Sequence, residues 1–236
     1  MPSNQDTKEL QLTDRLEKGL QISAEEIKES LVTRELFGGA IKLNMPLQWR
    51  DVSLVRQVPD HQECYQDCTF KDGDKLSLEG TGGCLITEIL AREEGVNDQD
   101  AASFFFSDLA EANGDSVGEI DFQTVCTAGK GISDLRSRSS VSMPNLSKQC
   151  KICTCIGVQS IDPLKNKEVV EVGKADRVRI ELCVVRLQAE ETDILLTLTM
   201  PLEKKGLKDS MQRNKHSDLF LSILRSLEVH DWSLFG

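Results

Sequence analysis

No run of eighteen apolar residues occurs in the 236 positions of this chain, so the sequence offers no stretch long enough for a membrane-spanning helix. Histidine is scarce: there are three, two of them (His216 and His230) near the C-terminal end. No Ser/His/Asp arrangement can be argued from so few, and no covalent catalyst is expected. Cations are outnumbered, with 28 Lys and Arg against 39 Asp and Glu and a net charge of -11. That argues against the clustered basic surface on which phosphate contacts depend, and against a nucleic-acid partner with it. The opening residues Met1-Pro2-Ser3-Asn4-Gln5-Asp6 lack the apolar core of a secretory signal, and an intracellular protein is expected. A phosphate loop is also missing. Gly80-Thr81-Gly82-Gly83 has no Lys-Ser/Thr after it, and Gly38-Gly39 leads into a strand pattern rather than a helix N-terminus. No cofactor is expected.

What is present suffices for one sizeable core, since 39% of the residues are apolar. Eight cysteines are too sparse for a secreted disulfide framework, and they read as reduced thiols. The cluster Cys150-Lys151-Ile152-Cys153-Thr154-Cys155 invites a zinc hypothesis. On a strand, however, Cys153 and Cys155 face one way and Cys150 the other, so three ligands do not converge. Cys64 and Cys68 read in the same way, as strand thiols. The negative charge has two readings: steering onto a basic partner surface, or plain solubility.

Residues 1–33 read as an extension, partly helical or disordered, with Ser23-Ala24-Glu25-Glu26 as a capping box opening a helix through about Leu31. The alternation of Ile41/Leu43/Met45 against Lys42/Asn44 predicts a strand with one buried face. Further strands are expected from Glu63 to Thr69, Ile120 to Thr127, and over Ile152–Val158. Cys84 to Ala91 is a strand or a helix start. The clearest pair, Val178/Ile180/Leu182/Val184 and Ile194/Leu196/Leu198/Met200, predicts a hairpin. Helices are expected from Asp98 to Asn113 and after Ser217, read as the cap of a final helix with Leu219, Phe220, Ile223, Leu224 and Leu227 on one face. Many strands and few helices indicate an α+β fold, an antiparallel sheet covered by helices early and late. Residues 128–149 hold six serines, two glycines and one proline, the composition of a mobile loop. Ser139 and Ser142 lie there beside Arg136 and Arg138 and are candidate phosphorylation sites, against an inert loop as the default.

The richest segment is Glu35-Leu36-Phe37-Gly38-Gly39-Ala40-Ile41, followed by Asp51-Val52-Ser53 and then Arg56-Gln57-Val58-Pro59-Asp60-His61-Gln62-Glu63. Pro59 fixes its own φ and holds Val58 extended, so the chain is stiff just before two carboxylates three residues apart. By themselves Asp60 and Glu63 are a solvated pair of surface charges, Asp51 is a turn cap, and Arg56 pairs with Asp60 or Asp51. These three phrases, in this order and spacing, resemble the Ran guanine-nucleotide-release factors, small nuclear-transport proteins. Thr192-Asp193-Ile194-Leu195-Leu196 and His230-Asp231-Trp232-Ser233-Leu234-Phe235-Gly236 are similar to the family's late hairpin and C-terminal end.

The resemblance implies a six-stranded antiparallel sheet flanked by helices over residues 34–236, a PsbP-like α/β/α sandwich, and it favours a strand at Cys84–Ala91. It implies binding to the small GTPase Ran, with release of its guanine nucleotide, by a monomer that moves between nucleus and cytoplasm. It also implies that Asp60 and Glu63 contact Ran, with Asp51, Gln62 and Arg56 in the same surface. A trafficking adaptor for membrane proteins, without release activity, is the second reading. A thylakoid-lumen protein of the PsbP type is the third, and the Val58-Pro59-Asp60-His61-Gln62-Glu63 phrase weighs against it.

Overall fold

A computed structural model of the chain describes residues 31–67, 69–70, 76–77, 83–114, 118–130, 132–133, 140–141, 143–160, 177–202 and 209–235. Fourteen strands and two helices are found there: β1 (Leu31–Leu36), β2 (Ile41–Pro46), β3 (Trp49–Asp51), β4 (Gln62–Asp67), β5 (Thr69–Phe70), β6 (Leu76–Ser77), β7 (Cys84–Ala91), α1 (Ala101–Ala112), β8 (Glu119–Thr127), β9 (Ile132–Ser133), β10 (Ser140–Val141), β11 (Lys151–Ser160), β12 (Arg177–Leu187), β13 (Thr192–Pro201), α2 (Asp209–Ser226) and β14 (Glu228–Val229). The main sheet is antiparallel throughout, in the order β3-β4-β7-β13-β12-β11-β8. The expected α+β class is what folds. The strand count is seven rather than six because the three-residue edge strand β3 pairs with β4.

The two central strands β12 and β13 are buried almost end to end, because each face of the sheet carries its own cover. On one face Cys183, Val185, Ile194, Leu196 and Leu198 pack with Phe220, Ile223, Leu224 and Leu227 of α2 and with Leu43 and Met45 of β2. On the other, Ile180, Leu182 and Val184 pack with Ala101, Ala102, Phe105 and Phe106 of α1. Phe106 lies directly on the sheet backbone. A side chain at Gly157 would stand 2.6 Å from its Cζ and 2.5 Å from the Glu119 carbonyl oxygen, beside a register shift between β8 and β11. Cys153 and Cys155 fall on the α1 face and Cys150 on the α2 face, the split that strand alternation predicts.

Ion pairs buried at strand ends fix the layers. Arg186 is fully buried, bonds Asp193 at 3.2 Å and Asp98 at 3.1 Å, and donates to the carbonyls of Glu93 and Val96 at 2.7 Å each. It thereby ties the hairpin to the segment that launches α1. At the other end Arg179 bonds Glu181 at 2.9 Å.

Three expectations are corrected. Ser217 does not cap the last helix, which begins at Asp209. Its buried hydroxyl donates to Glu181 at 2.8 Å and accepts from Arg179 at 3.3 Å, so a polar contact mid-helix imitates a cap in the sequence. β1 starts at Leu31 with Val32 buried, so residues 31–33 belong to a strand and not to an extension. Nor is all of 128–149 a loose loop: Met143 and Leu146 are buried in the α2-side core, and Ala128 accepts the Met143 N–H at 3.3 Å. Two apolar side chains suffice to anchor the described 143–146 segment although they show no period. Ser139, Ser142 and most of residues 1–33 lie outside the described residues.

The C-terminal segment closes a second sheet, β1-β2-β14. Val229 pairs with Ile41 and is buried, the His230 N–H donates to the Ala40 carbonyl at 2.7 Å, and Leu234 and Phe235 pack against the core. Trp232 is half exposed and makes an edge contact with Phe235 at 5.8 Å between centroids. Deleting residues 229–236 removes a strand and three packed side chains. The truncated chain is expected to melt at least several degrees lower in a thermal scan; an unchanged melting temperature would show the segment to be a tail.

Candidate functional site

The Asp51–Glu63 segment leaves the sheet at β3 and returns at β4. Asp51 ends β3, and its Oδ1 accepts the Ser53 N–H at 2.8 Å. This caps a single 3-10 turn over Val52–Leu54, pinned by buried Val52. The same turn presents Leu54 and Val55 to solvent, 79% and 62% exposed. Pro59 then accepts the Gln62 N–H at 2.9 Å, and the Ile89 N–H donates to the His61 carbonyl at 2.9 Å. The far end of the loop is thereby sewn to β7. Asp60 and His61 are exposed at the bend.

From Gln62 onward the period of two sends successive side chains to opposite faces. Glu63 turns toward the α2 face, where its carboxylate accepts the N–H of Phe37. Phe37 sits in the turn between β1 and β2, with φ of 51° followed by 66° at Gly38 and 95° at Gly39. All three lie in the left-handed region, which glycine occupies freely and phenylalanine does not. The Phe37-Gly38-Gly39 phrase therefore shapes a backbone donor for Glu63. Burial raises the Glu63 carboxyl above its ordinary value; the Phe37 N–H pulls it down, and the charge of Asp51 pushes it up.

Gln62 turns to the other face and donates to the Glu88 carboxylate. Arg56 also goes there: its Nη2 lies 4.0 Å from the Cys64 sulfur, and among the described residues it forms no ion pair with Asp51 or Asp60. The proposed orienting role of Arg56 for those carboxylates is therefore corrected. Five residues adjacent in the motif thus divide in space. Asp51 and Glu63 share one side, Asp60 stands at the bend, and Gln62 and Arg56 belong to the opposite side.

Several participants escape a reading of the sequence. Glu88 could have been found, since it follows Ile86 at strand spacing on β7, in register with Gln62. The exposure of Leu54 and Val55 follows from the single turn between Asp51 and Arg56, which no periodicity announces. Chemically the arrangement holds neither an acid/base pair nor a nucleophile aimed at a cavity. It presents one exposed carboxylate, one half-buried carboxylate and two exposed apolar side chains on a loop tied at both ends.

Glu63 offers a clean test of charge against scaffold. Its folded value is raised, so its contribution to stability is full below the ordinary value of 4.5 and is lost as pH rises through the raised value. At neutral pH the ionised side chain therefore opposes folding relative to a neutral acceptor. Glu63→Gln keeps an acceptor for Phe37 and is expected to melt at or above the parent temperature at pH 7, an advantage that fades near pH 4. Glu63→Ala leaves that N–H without its partner and is expected to lose about 1 kcal/mol. A Gln variant less stable than the Ala variant would refute this account.

Comparison with known proteins converges on one family. The family model described as "Ran-interacting Mog1 protein" matches residues 34–201. The chain is 25% identical over 219 residues to a probable Ran guanine nucleotide release factor of Dictyostelium discoideum, covering 89% of this chain and 98% of that one. It is 26% identical over 211 residues to the Ran guanine nucleotide release factor of Danio rerio, covering 87% and 100%. Its fold is similar to the crystal structure of the Saccharomyces cerevisiae Ran-binding protein Mog1p, with a TM-score of 0.59 at 23% identity, over 88% of this chain and 99% of that one.

Proposed function

We infer from one premise, that this chain belongs to the Mog1 family of Ran-interacting proteins, that it binds the small GTPase Ran and promotes release of its guanine nucleotide. In this reading it supports protein transport between nucleus and cytoplasm and is found in both, acting as a regulator that makes and breaks no covalent bond. The working unit is the monomeric domain that begins with β1. The observation that carries the proposal is the Asp51–Glu63 loop: a carboxylate exposed at Asp60, a second held by the Phe37 N–H, and the exposed Leu54–Val55 pair on the same loop.

The mechanism is linkage. A protein that holds nucleotide-free Ran more tightly than loaded Ran must weaken nucleotide binding by the same factor. Asp60 and Glu63 supply negative charge, which competes for the basic and Mg²⁺-associated groups that otherwise hold phosphate. Leu54 and Val55 supply the apolar contact that surface charge alone does not. Purified Ran loaded with a fluorescent guanine nucleotide tests this directly. Release accelerated by the chain in proportion to its concentration is expected. Binding without acceleration would replace the release function by that of an adaptor, and no binding would overturn the proposal.

A further inference from the structure

Seven of the eight cysteines lie among the described residues, and two of them differ from the rest. Cys126, Cys150, Cys153, Cys155 and Cys183 have their thiols pushed up by burial, the first to about 11 and the next three to about 12. Cys150 donates to the Arg186 carbonyl at 3.5 Å and Cys155 to the Ala102 carbonyl at 3.4 Å. These are core thiols held in the protonated form, which is the unreactive one. Cys64 and Cys84 are placed otherwise. They stand on the hydrogen-bonded strands β4 and β7, one step diagonal in register, since Cys64 faces Ile86 and Gln66 faces Cys84. Both point to the same side of the sheet. Their sulfurs are 3.2 Å apart, and the guanidinium of Arg56 lies 4.0 Å from Cys64.

We propose that Cys64 and Cys84 form a modification site, a dithiol that a hydroperoxide converts into an internal disulfide. The two sulfurs divide the work by position. Cys84 is partly exposed and Cys64 buried, so the peroxide meets Cys84. Its sulfur takes one oxygen of the peroxide and becomes a sulfenic acid, and the O–O bond breaks with release of the alcohol, or of water when the oxidant is hydrogen peroxide. Cys64 then attacks the Cys84 sulfur. The S–O bond breaks, the departing hydroxide takes the remaining thiol proton, and water leaves. Two thiols and one hydroperoxide thus give one disulfide, one alcohol and one water. Cys64 suits the attacking role by position: its sulfur already lies 3.2 Å from the Cys84 sulfur, with the positive Arg56 guanidinium 4.0 Å away to favour its thiolate. Bond formation requires the sulfurs to close by about 1.2 Å from their 3.2 Å separation. Thiol pairs of this kind are transient and redox-sensing where the surroundings are reducing.

The test is peptide mapping of the full chain after brief exposure to hydrogen peroxide and alkylation of the remaining thiols. A fragment joining 57–71 to 76–92 is expected, and it should separate again on treatment with dithiothreitol. Its formation should be at least roughly tenfold faster than oxidation of the five core cysteines. Cys68 shares the first fragment with Cys64, so Cys68→Ser is run alongside and must keep the link, whereas Cys64→Ser must lose it. In Cys64→Ser the sulfenic acid, with no resolving thiol, should be trapped on Cys84 by dimedone. Should the Cys64 variant fail to fold, Cys84→Ser, changed at the more exposed position, must lose the link in its place. The proposal is overturned if the link survives in Cys64→Ser or Cys84→Ser, disappears in Cys68→Ser, or forms no faster than the core thiols oxidise.

Discussion

Asp60→Lys is expected to weaken Ran binding by about 30-fold or more while leaving the melting temperature within a degree or two. The two halves of that expectation have separate causes. Asp60 is exposed at the bend of a loop whose backbone bonds come from Asp51, Pro59 and His61, so its side chain holds nothing in place. Substitutions of that kind change stability by less than about 0.5 kcal/mol. On the proposed interface the same carboxylate would be desolvated against a cation, and its reversal would then cost roughly 2–5 kcal/mol of binding. Equilibrium titration of labelled Ran reads the first half and a thermal melt the second. Unchanged affinity would place the interface elsewhere on the molecule. A lowered melting temperature would give Asp60 a structural role that its surroundings do not show.

The largest loss of stability is expected at Asp193→Ala. Asp193 is fully buried, 3.2 Å from Arg186 and 3.8 Å from Arg92, and it accepts the Glu93 N–H at 3.2 Å. Removing it leaves the buried Arg186 guanidinium with the Glu93 and Val96 carbonyls and, among the described residues, a single carboxylate, the partly exposed Asp98. Breaking a buried pair in this way costs roughly 3–5 kcal/mol, which for a chain of this size lowers the melting temperature by about 10 °C. The double variant Arg186→Met, Asp193→Leu removes both charges and is expected to recover a large part of the loss, because no ion is left uncompensated. A single variant that melts like the parent would mean that water reaches Arg186.

The fold was legible where burial writes a period. The alternation at Ile41/Leu43/Met45 and the two runs of β12 and β13 are forced by a core on one or both sides, and the strands appear there. The apolar spacing of Phe220, Ile223, Leu224 and Leu227 placed the inner face of α2 correctly. Its start was misread because a serine that satisfies a buried ion pair looks, in sequence, like one that satisfies a helix end. Met143 and Leu146 were missed for a different reason: two side chains anchor a loop without forming a pattern. Within the Asp51–Glu63 segment, the motif does not announce which side of the ribbon each residue takes. The bond from Phe37 to Glu63 joins positions 26 apart, and no local rule carries that far. The Cys64–Cys84 contact requires the register of β4 on β7, which is a property of the sheet and not of either strand.

The alternation of β4 also restricts how this site can change over evolutionary time. Gln62, Glu63 and Cys64 serve opposite sides of one ribbon, with partners at Glu88, Phe37 and Cys84 respectively. A substitution at any of them disturbs one contact. Insertion or deletion of a single residue within the strand inverts its parity, moving the carboxylate to the thiol side and a thiol to the Phe37 turn, and all three contacts fail at once. An indel of two residues restores the parity but shifts every partner along β7. This stretch of chain can therefore exchange letters but tolerates no change in its length.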